Sequence, residues 1–333
     1  VRRCFLMGDD PISGKNFDHR KVWIEELLQH FAACYGIDLI SFAILSNHYH
    51  LVLRSRPDVV ETWSDEEVAR RWLMICPVRK IGGKPATPSQ AEIDLIRNCP
   101  IKLAEVRGRL SNVSWWMRLL NQRIAQRSNR EDEQAGRFWQ DRFRLTKLID
   151  EESLLACMVY VDLNPIRAAM AETLEQSDFT SVQRRIQAEQ QTTRIDETDG
   201  QSVPAIQRRD AFLANLTIDP ANDPVGPSPS KTPDRCSDKG VLELTSRAYL
   251  ELADWTARQI ASGKRVSTPS ETPAVLQRLG MVSQSWCELM DRFEDAFIHV
   301  AGRCDRIEAA RSHQTSRRFQ VRPLAKTLLP AAA

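Results

Sequence analysis

From His19 to Tyr35 the apolar residues Val22, Ile24, Leu27, Leu28 and Phe31 recur at helical spacing, and Gly36 follows where helices commonly end. Ile37 to Leu45 is an almost unbroken apolar run of strand length, and Ser46-Asn47 interrupts it before a second run from His48 to Leu53. Two strands with so short a break between them are predicted to be antiparallel neighbours. Ahead of them, residues 1–7 read as the tail of a strand that starts upstream of Val1, followed by a turn-rich loop from Gly8 to Gly14.

Arg54 to Cys99 is predicted to be a mostly helical insertion, with a Pro- and Gly-rich loop over 77–89, and Ile101 to Asn129 returns to helix. Arg137 to Ile149 alternates and is rich in aromatic and β-branched residues, which predicts a strand. Asp150 is a suitable N-cap, and Glu151 and Glu152 suit the positive end of a helix that runs to about Leu163 and weakens at Asn164 before Pro165. Polar composition and the Pro-rich stretch Asp219 to Pro233 make residues 187–238 a predicted disordered linker. A small helical module over 240–315 and a tail over 316–333 complete the chain.

With 333 residues, 42% of them hydrophobic and 27% charged, the chain is long enough for two domains or for one with appendages. No apolar run approaches the roughly 20 residues of a membrane span, so a soluble, cytoplasmic protein is expected. The eight cysteines are irregularly spaced and none forms Cys-x-x-Cys, which suits reduced, buried thiols and argues against a cysteine-built zinc site. Overall net charge is only +2, but Lys102 to Lys147 holds 11 Lys/Arg against 5 Asp/Glu together with Trp115, Trp116, Phe138, Trp139 and Phe143. Cations interleaved with aromatics suit a phosphate backbone with unstacked bases, and equally a solvated helix face over core tryptophans.

Two features carry candidate chemistry. On a strand, His48 and His50 point to one face and Tyr49 to the other, so the two imidazoles can hold one divalent ion; a histidine in a strand is more often a packing residue. On the helix after Asp150, Tyr160 and Asn164 are four residues apart and share a face. A tyrosine capping a core is the plain alternative. Were that face turned toward the histidines, a nucleophile and an amide oxygen would meet a metal site, an arrangement suited to phosphodiester cleavage.

Three blocks, Ser46-Asn-His-Tyr-His-Leu-Val-Leu53, Phe138-Trp-Gln-Asp-Arg-Phe143 and Tyr160-Val-Asp-Leu-Asn-Pro-Ile-Arg-Ala168, follow in the order found in single-tyrosine HUH transposases. The chain resembles their REP-associated branch over about residues 1–183, with 55–100 outside the common core. Ser177-Asp-Phe-Thr-Ser181 resembles a further element of that branch, while Tyr49 stands where the family has a hydrophobic residue.

The resemblance implies an α+β fold, a ferredoxin-like antiparallel sheet with helices on one face and the His-x-His strand central. It implies single-stranded or hairpin DNA as partner, Tyr160 as the nucleophile of a 5′-phosphotyrosine intermediate, and His48, His50 and Asn164 as ligands of Mg²⁺ or Mn²⁺. Imidazole ligands suit Mn²⁺ better. Such a protein is expected as a monomer or homodimer associated with the nucleoid.

Arg142, Arg144 and Lys147, near-alternating before the tyrosine helix, and Arg167 after it are the expected phosphate contacts. A tyrosine hydroxyl ordinarily titrates near about 10, so the metal or a neighbouring base must assist it. A domesticated protein that binds hairpin repeats without cutting them is the competing expectation.

Overall fold

A computed structural model of the chain describes residues 6–10, 14–197, 207–220, 226–262, 273–312 and 321–329. The chain divides into two compact units, each assembled from several segments. Residues 1–40, 44–141 and 190–241 make the first, and 41–43, 142–189 and 242–333 the second. Helices and short strands are mixed throughout, an α+β composition. The strand expected at the N-terminus falls mostly on residues 1–5, outside the described residues.

In the first unit α1 (His19–Cys34) leads into β1 (Ile37–Ile44), every residue of which is buried. β1 pairs with β2 (Tyr49–Ser55), joined through Ser46-Asn47, with the Leu45 N–H donating to the His48 carbonyl at 2.9 Å. Helices α2 (Pro57–Thr62) and α3 (Asp65–Ile75), a small hairpin of β3 (Lys80–Ile81) and β4 (Lys84–Pro85), and α4 (Gln90–Arg97) follow. The helix expected over Ile101–Asn129 is two helices, α5 (Pro100–Leu110) and α6 (Val113–Glu131). Asn112 causes the break: its side chain accepts from the Ser114 N–H at 2.8 Å and the Trp115 N–H at 3.3 Å, capping α6.

Gly36 serves a different purpose from the left-handed cap its position suggests. The backbone is already extended at Tyr35, and a Cβ at Gly36 would lie 2.0 Å from Val60 Cγ2. Glycine is needed here for close approach, with the Gly36 N–H on the Leu110 carbonyl (2.8 Å) and its carbonyl receiving Arg56 N–H (2.9 Å).

Two sequence expectations fail in informative ways. The strand expected over Arg137–Ile149 is largely irregular, and only β5 (Lys147–Leu148) pairs. Phe138 is buried and Trp139 Nε1–H donates to the Asn121 carbonyl at 2.9 Å, whereas Arg142–Leu145 are exposed. The apolar alternation therefore anchors one end of the segment to α6 without forming a ladder. The expected disordered linker is also corrected. Helix α9, introduced below, runs into it to Glu197, and the described residues beyond pack against β1. The Ala214 N–H donates to the Leu39 carbonyl (2.8 Å), Cys236 Sγ–H to Asp38 Oδ1 (3.3 Å), and Arg54 reaches the Gly240 and Lys239 carbonyls. A few apolar anchors, Phe212, Leu213 and Leu216 among them, suffice to bury a polar-rich segment.

After Ser41–Ala43 the second unit resumes at Arg142 and holds β5, α7 (Glu151–Asp162), α8 (Asn164–Arg167) and the first half of α9 (Ser181–Glu197), whose residues from Gln190 on belong to the first unit. Beyond these lie α10 (Ser246–Ser262), α11 (Ala274–Arg278), α12 (Ser283–Ala296), β6 (Val300–Ala301), α13 (Cys304–Ser312) and α14 (Pro323–Leu328). β5 and β6 pair in parallel. Helix α12 packs on both α7 and α14, so the described C-terminal residues share a unit with the tyrosine helix; the rest of the expected tail lies outside the described residues. No described helix is long and apolar enough to cross a membrane.

Candidate functional site

The Ser46-Asn47 turn is fixed from outside: the Leu6 and Met7 N–H groups both donate to the Ser46 carbonyl, at 3.0 and 2.8 Å. His48 ends the turn and is exposed, and His50 is half-buried on β2. Their Nε2 atoms lie 3.1 Å apart, with the ring planes nearly perpendicular. His48 Nδ1 is 2.5 Å from Asn47 Oδ1, and since an amide oxygen only accepts, Nδ1 carries the proton. In the neutral ring that leaves the Nε2 lone pair facing His50.

Tyr49 points the other way. Its hydroxyl donates to Asn121 Oδ1 at 2.7 Å, its ring meets Trp139, and burial pushes its hydroxyl well above the ordinary phenol value. It is a packing residue of the first unit.

Two nitrogens, each about 2.1 Å from one ion, are about 3.0 Å apart when they subtend a right angle. The histidine pair therefore fits the proposed divalent ion as two of its ligands. Among the described residues no group of three or more His, Cys, Asp or Glu side chains is assembled for a metal. Asn164 belongs to the second unit, so the structure describes it apart from the histidines.

In the second unit, Asp150 caps α7 by accepting from the Ser153 N–H at 2.9 Å. The helix ends at Asp162, and Leu163 (φ −88°, ψ −1°) turns the chain into α8, so Tyr160 and Asn164 stand on consecutive helices. Asn164 is 9% exposed and its Nδ2 has no hydrogen-bond partner.

Tyr160 is 8% exposed, with its ring stacked on Phe293 of α12 (centroids 5.2 Å, 26° between planes). The Arg167 guanidinium carbon lies 4.6 Å from the ring centroid on the same tyrosine. Burial pushes the Tyr160 hydroxyl up; a hydrogen bond from Arg167 opposes that shift, and the Glu294 carboxylate adds to it by charge and by accepting a hydrogen bond.

Arg167 also donates through Nη2 to the Asp291 carbonyl at 3.0 Å, so this expected phosphate contact is engaged with its own chain. Arg142, Arg144 and Lys147 are exposed, but only Lys147 lies in a paired strand. Most cations of the wider basic stretch are exposed, while its tryptophans are engaged with the protein. Trp116 is fully buried, and Trp115 lies between the Arg109 and Arg118 guanidiniums at 4.0 and 4.8 Å.

Asp162, the last residue of α7, carries no mark of a role in the sequence analysis and is fully buried. Its Oδ1 accepts from Ser41 Oγ (3.1 Å), Ser181 Oγ (2.5 Å) and the Val182 N–H (3.2 Å), and Oδ2 accepts from the Tyr249 hydroxyl. Burial holds its carboxyl above the usual range. The signal for it was an acid within the otherwise apolar run Leu154 to Leu163. No family model, curated protein or solved structure matches the chain.

Proposed function

We propose that the chain is a metal-dependent DNA strand transferase that cleaves single-stranded hairpin or repeat DNA through Tyr160, forming a 5′-phosphotyrosine intermediate. The observation that carries this reading is the 3.1 Å approach of His48 Nε2 to His50 Nε2, with Asn47 holding the His48 proton on the opposite nitrogen. Without an ion the two nitrogens share a hydrogen bond, and an ion bound by both lone pairs would replace it. His48, His50 and Asn164 would hold Mg²⁺ or Mn²⁺, which when bound would withdraw charge from the scissile phosphate. Tyr160 would supply the attacking oxygen, and Arg167 a positive charge beside it. A ferredoxin-like sheet around the β1–β2 hairpin belongs to the same reading, as does nucleoid association.

A second reading, a protein that binds hairpin repeats without cutting them, is favoured by the ring stacking that leaves Tyr160 only 8% exposed. Incubation with single-stranded hairpin DNA and Mn²⁺ separates the two. The first reading expects a covalent protein–DNA band that disappears with EDTA, His48→Ala or Tyr160→Phe. An adduct that survives Tyr160→Phe assigns the nucleophile elsewhere, and binding without an adduct selects the second reading.

A further inference from the structure

We propose that α6 carries a second DNA surface, a row of guanidiniums at Arg123, Arg127 and Arg130 that holds the phosphate backbone of duplex DNA without reading its sequence. This surface lies apart from the cleavage site proposed above and does not depend on it.

Residues 123, 127 and 130 follow at helical spacing and form one stripe, about 10 Å long at 1.5 Å per residue. Arg127 and Arg130 are exposed, and Arg123 is half-buried. Rings of α1 hold two of the three in place. The Arg123 guanidinium carbon lies 4.9 Å from the Phe31 ring centroid, and that of Arg127 lies 4.6 Å from Trp23. Phe31 and Trp23 are both buried, so bases cannot stack on them. What the stripe offers a nucleic acid is therefore contact with its backbone.

Charge pairing separates these arginines from those of other helices. Arg70 of α3 pairs with Glu66, Arg258 of α10 with Asp254 and Arg292 of α12 with Glu288, each acid one turn away. The one acid of α6 is Glu131, and it is committed to His19 and Arg20 of α1, at 2.5 and 3.2 Å. Among the described residues, Arg123, Arg127 and Arg130 have no carboxylate partner.

A row of unneutralised cations on a rigid helix suits a partner whose negative charge repeats, and each strand of duplex DNA carries one phosphate per about 3.4 Å of axis. The planar guanidinium fork matches phosphate oxygens. A lipid surface would ask for apolar side chains beside the cations, but the exposed neighbours on α6 are Gln122 and Gln126.

The stripe also faces away from the histidine pair. Asn121, which accepts from the Tyr49 hydroxyl, stands about half a turn round α6 from the three arginines. On β2, Tyr49 in turn points to the opposite face from His50. DNA held on the stripe is thus a different stretch from any strand at the histidines.

The test is fluorescence anisotropy of a short duplex free of repeats and hairpins, titrated with the full chain in EDTA over a range of salt. Binding should weaken steeply as salt rises. Each lost phosphate contact removes about 0.9 from the slope of log affinity against log salt, so Arg123→Gln/Arg127→Gln/Arg130→Gln should lower it by about 2.7. Arg127→Gln/Arg130→Gln, confined to the two exposed positions, should lower it by about 1.8 and covers the case of a triple variant that fails to fold. Arg70→Gln/Arg79→Gln/Arg97→Gln removes the same charge from ion-paired positions and should leave the slope nearly unchanged.

Failure of the full chain to bind the duplex, or an equal loss in the ion-paired control, overturns the surface. Phosphatidylserine vesicles bound as tightly as the duplex overturn its assignment to DNA. Neither the metal nor Tyr160 enters this measurement, so its outcome is independent of whether hairpin DNA forms an adduct.

Discussion

Tyr249 of α10 donates its hydroxyl to Asp162 of α7, and neither residue reaches solvent. The bond ties the C-terminal helices to the helix carrying Tyr160, and it completes a set of four donors around one buried carboxylate. A buried carboxylate loses its hydration, and hydrogen bonds must replace it.

Tyr249→Phe should therefore destabilise the second unit by about 1–3 kcal/mol, the cost of an unsatisfied buried acceptor. Urea denaturation measures it. A midpoint equal to that of the unsubstituted protein would mean the remaining three donors suffice.

Asp162 also predicts a pH dependence. Burial holds its carboxyl above the ordinary 3.8, so the folded state binds this proton more tightly than the unfolded state does. Its contribution to stability is then greatest at low pH, declines as pH rises from 3.8 through the folded-state value, and is level above it. Asp162→Asn has no such proton to bind. The stability gap between unsubstituted protein and Asp162→Asn should widen as pH falls from 7 toward 4; equal gaps at both ends would contradict it.

At the histidine turn, Asn47→Ala removes the acceptor that keeps the His48 proton on Nδ1. On the proposed metal reading, loss of such an outer partner weakens Mn²⁺ binding about 10–100-fold while leaving both histidines in place. Mn²⁺ titration followed by electron paramagnetic resonance reads this directly, and His50→Ala should lose at least as much. Equal affinity in Asn47→Ala would show that the tautomer is set otherwise.

Gly36→Ala tests the close approach at the end of α1. Its methyl would sit 2.0 Å from Val60 Cγ2, and overpacking of this kind costs about 1–3 kcal/mol. Thermal denaturation should show a lowered midpoint; a neutral substitution would mean Val60 can rotate aside.

Phe293→Leu should make Tyr160 easier to ionise, since burial is the main force holding its hydroxyl up. A ¹³Cζ-tyrosine NMR titration of the full chain, with Tyr160→Phe assigning the resonance, should move downward. An upward shift would show that the ring stack stabilises the phenolate instead.

The elements legible from sequence were those whose pattern had a single cause. α1, β1 and α7 each bury an apolar face or run, and Asp150 caps α7 where the sequence places it. The stretch 137–149 misled because its aromatics answer to different tasks: Phe138 and Trp139 anchor, while Phe143 is exposed. The segment after α9 misled because its polar residues are held by Asp38, Arg54 and Arg56, whose partners lie far away in sequence. Strand alternation named the His48/His50 pair, but His48 lies in the turn before β2, so the turn geometry and not the strand brings its ring to His50. Phe293 gave no such signal: one more apolar residue on an amphipathic helix carries no mark, and only the packing of α12 on α7 brings its ring to Tyr160.

The middle of β1, Ser41–Ala43, belongs to the second unit, while the residues on either side of it belong to the first. Ser41 serves Asp162 and the Phe42 N–H meets Ser181, all within that unit. A gene cut at any single point cannot separate the two units cleanly, because a tripeptide of one is stitched into a strand of the other.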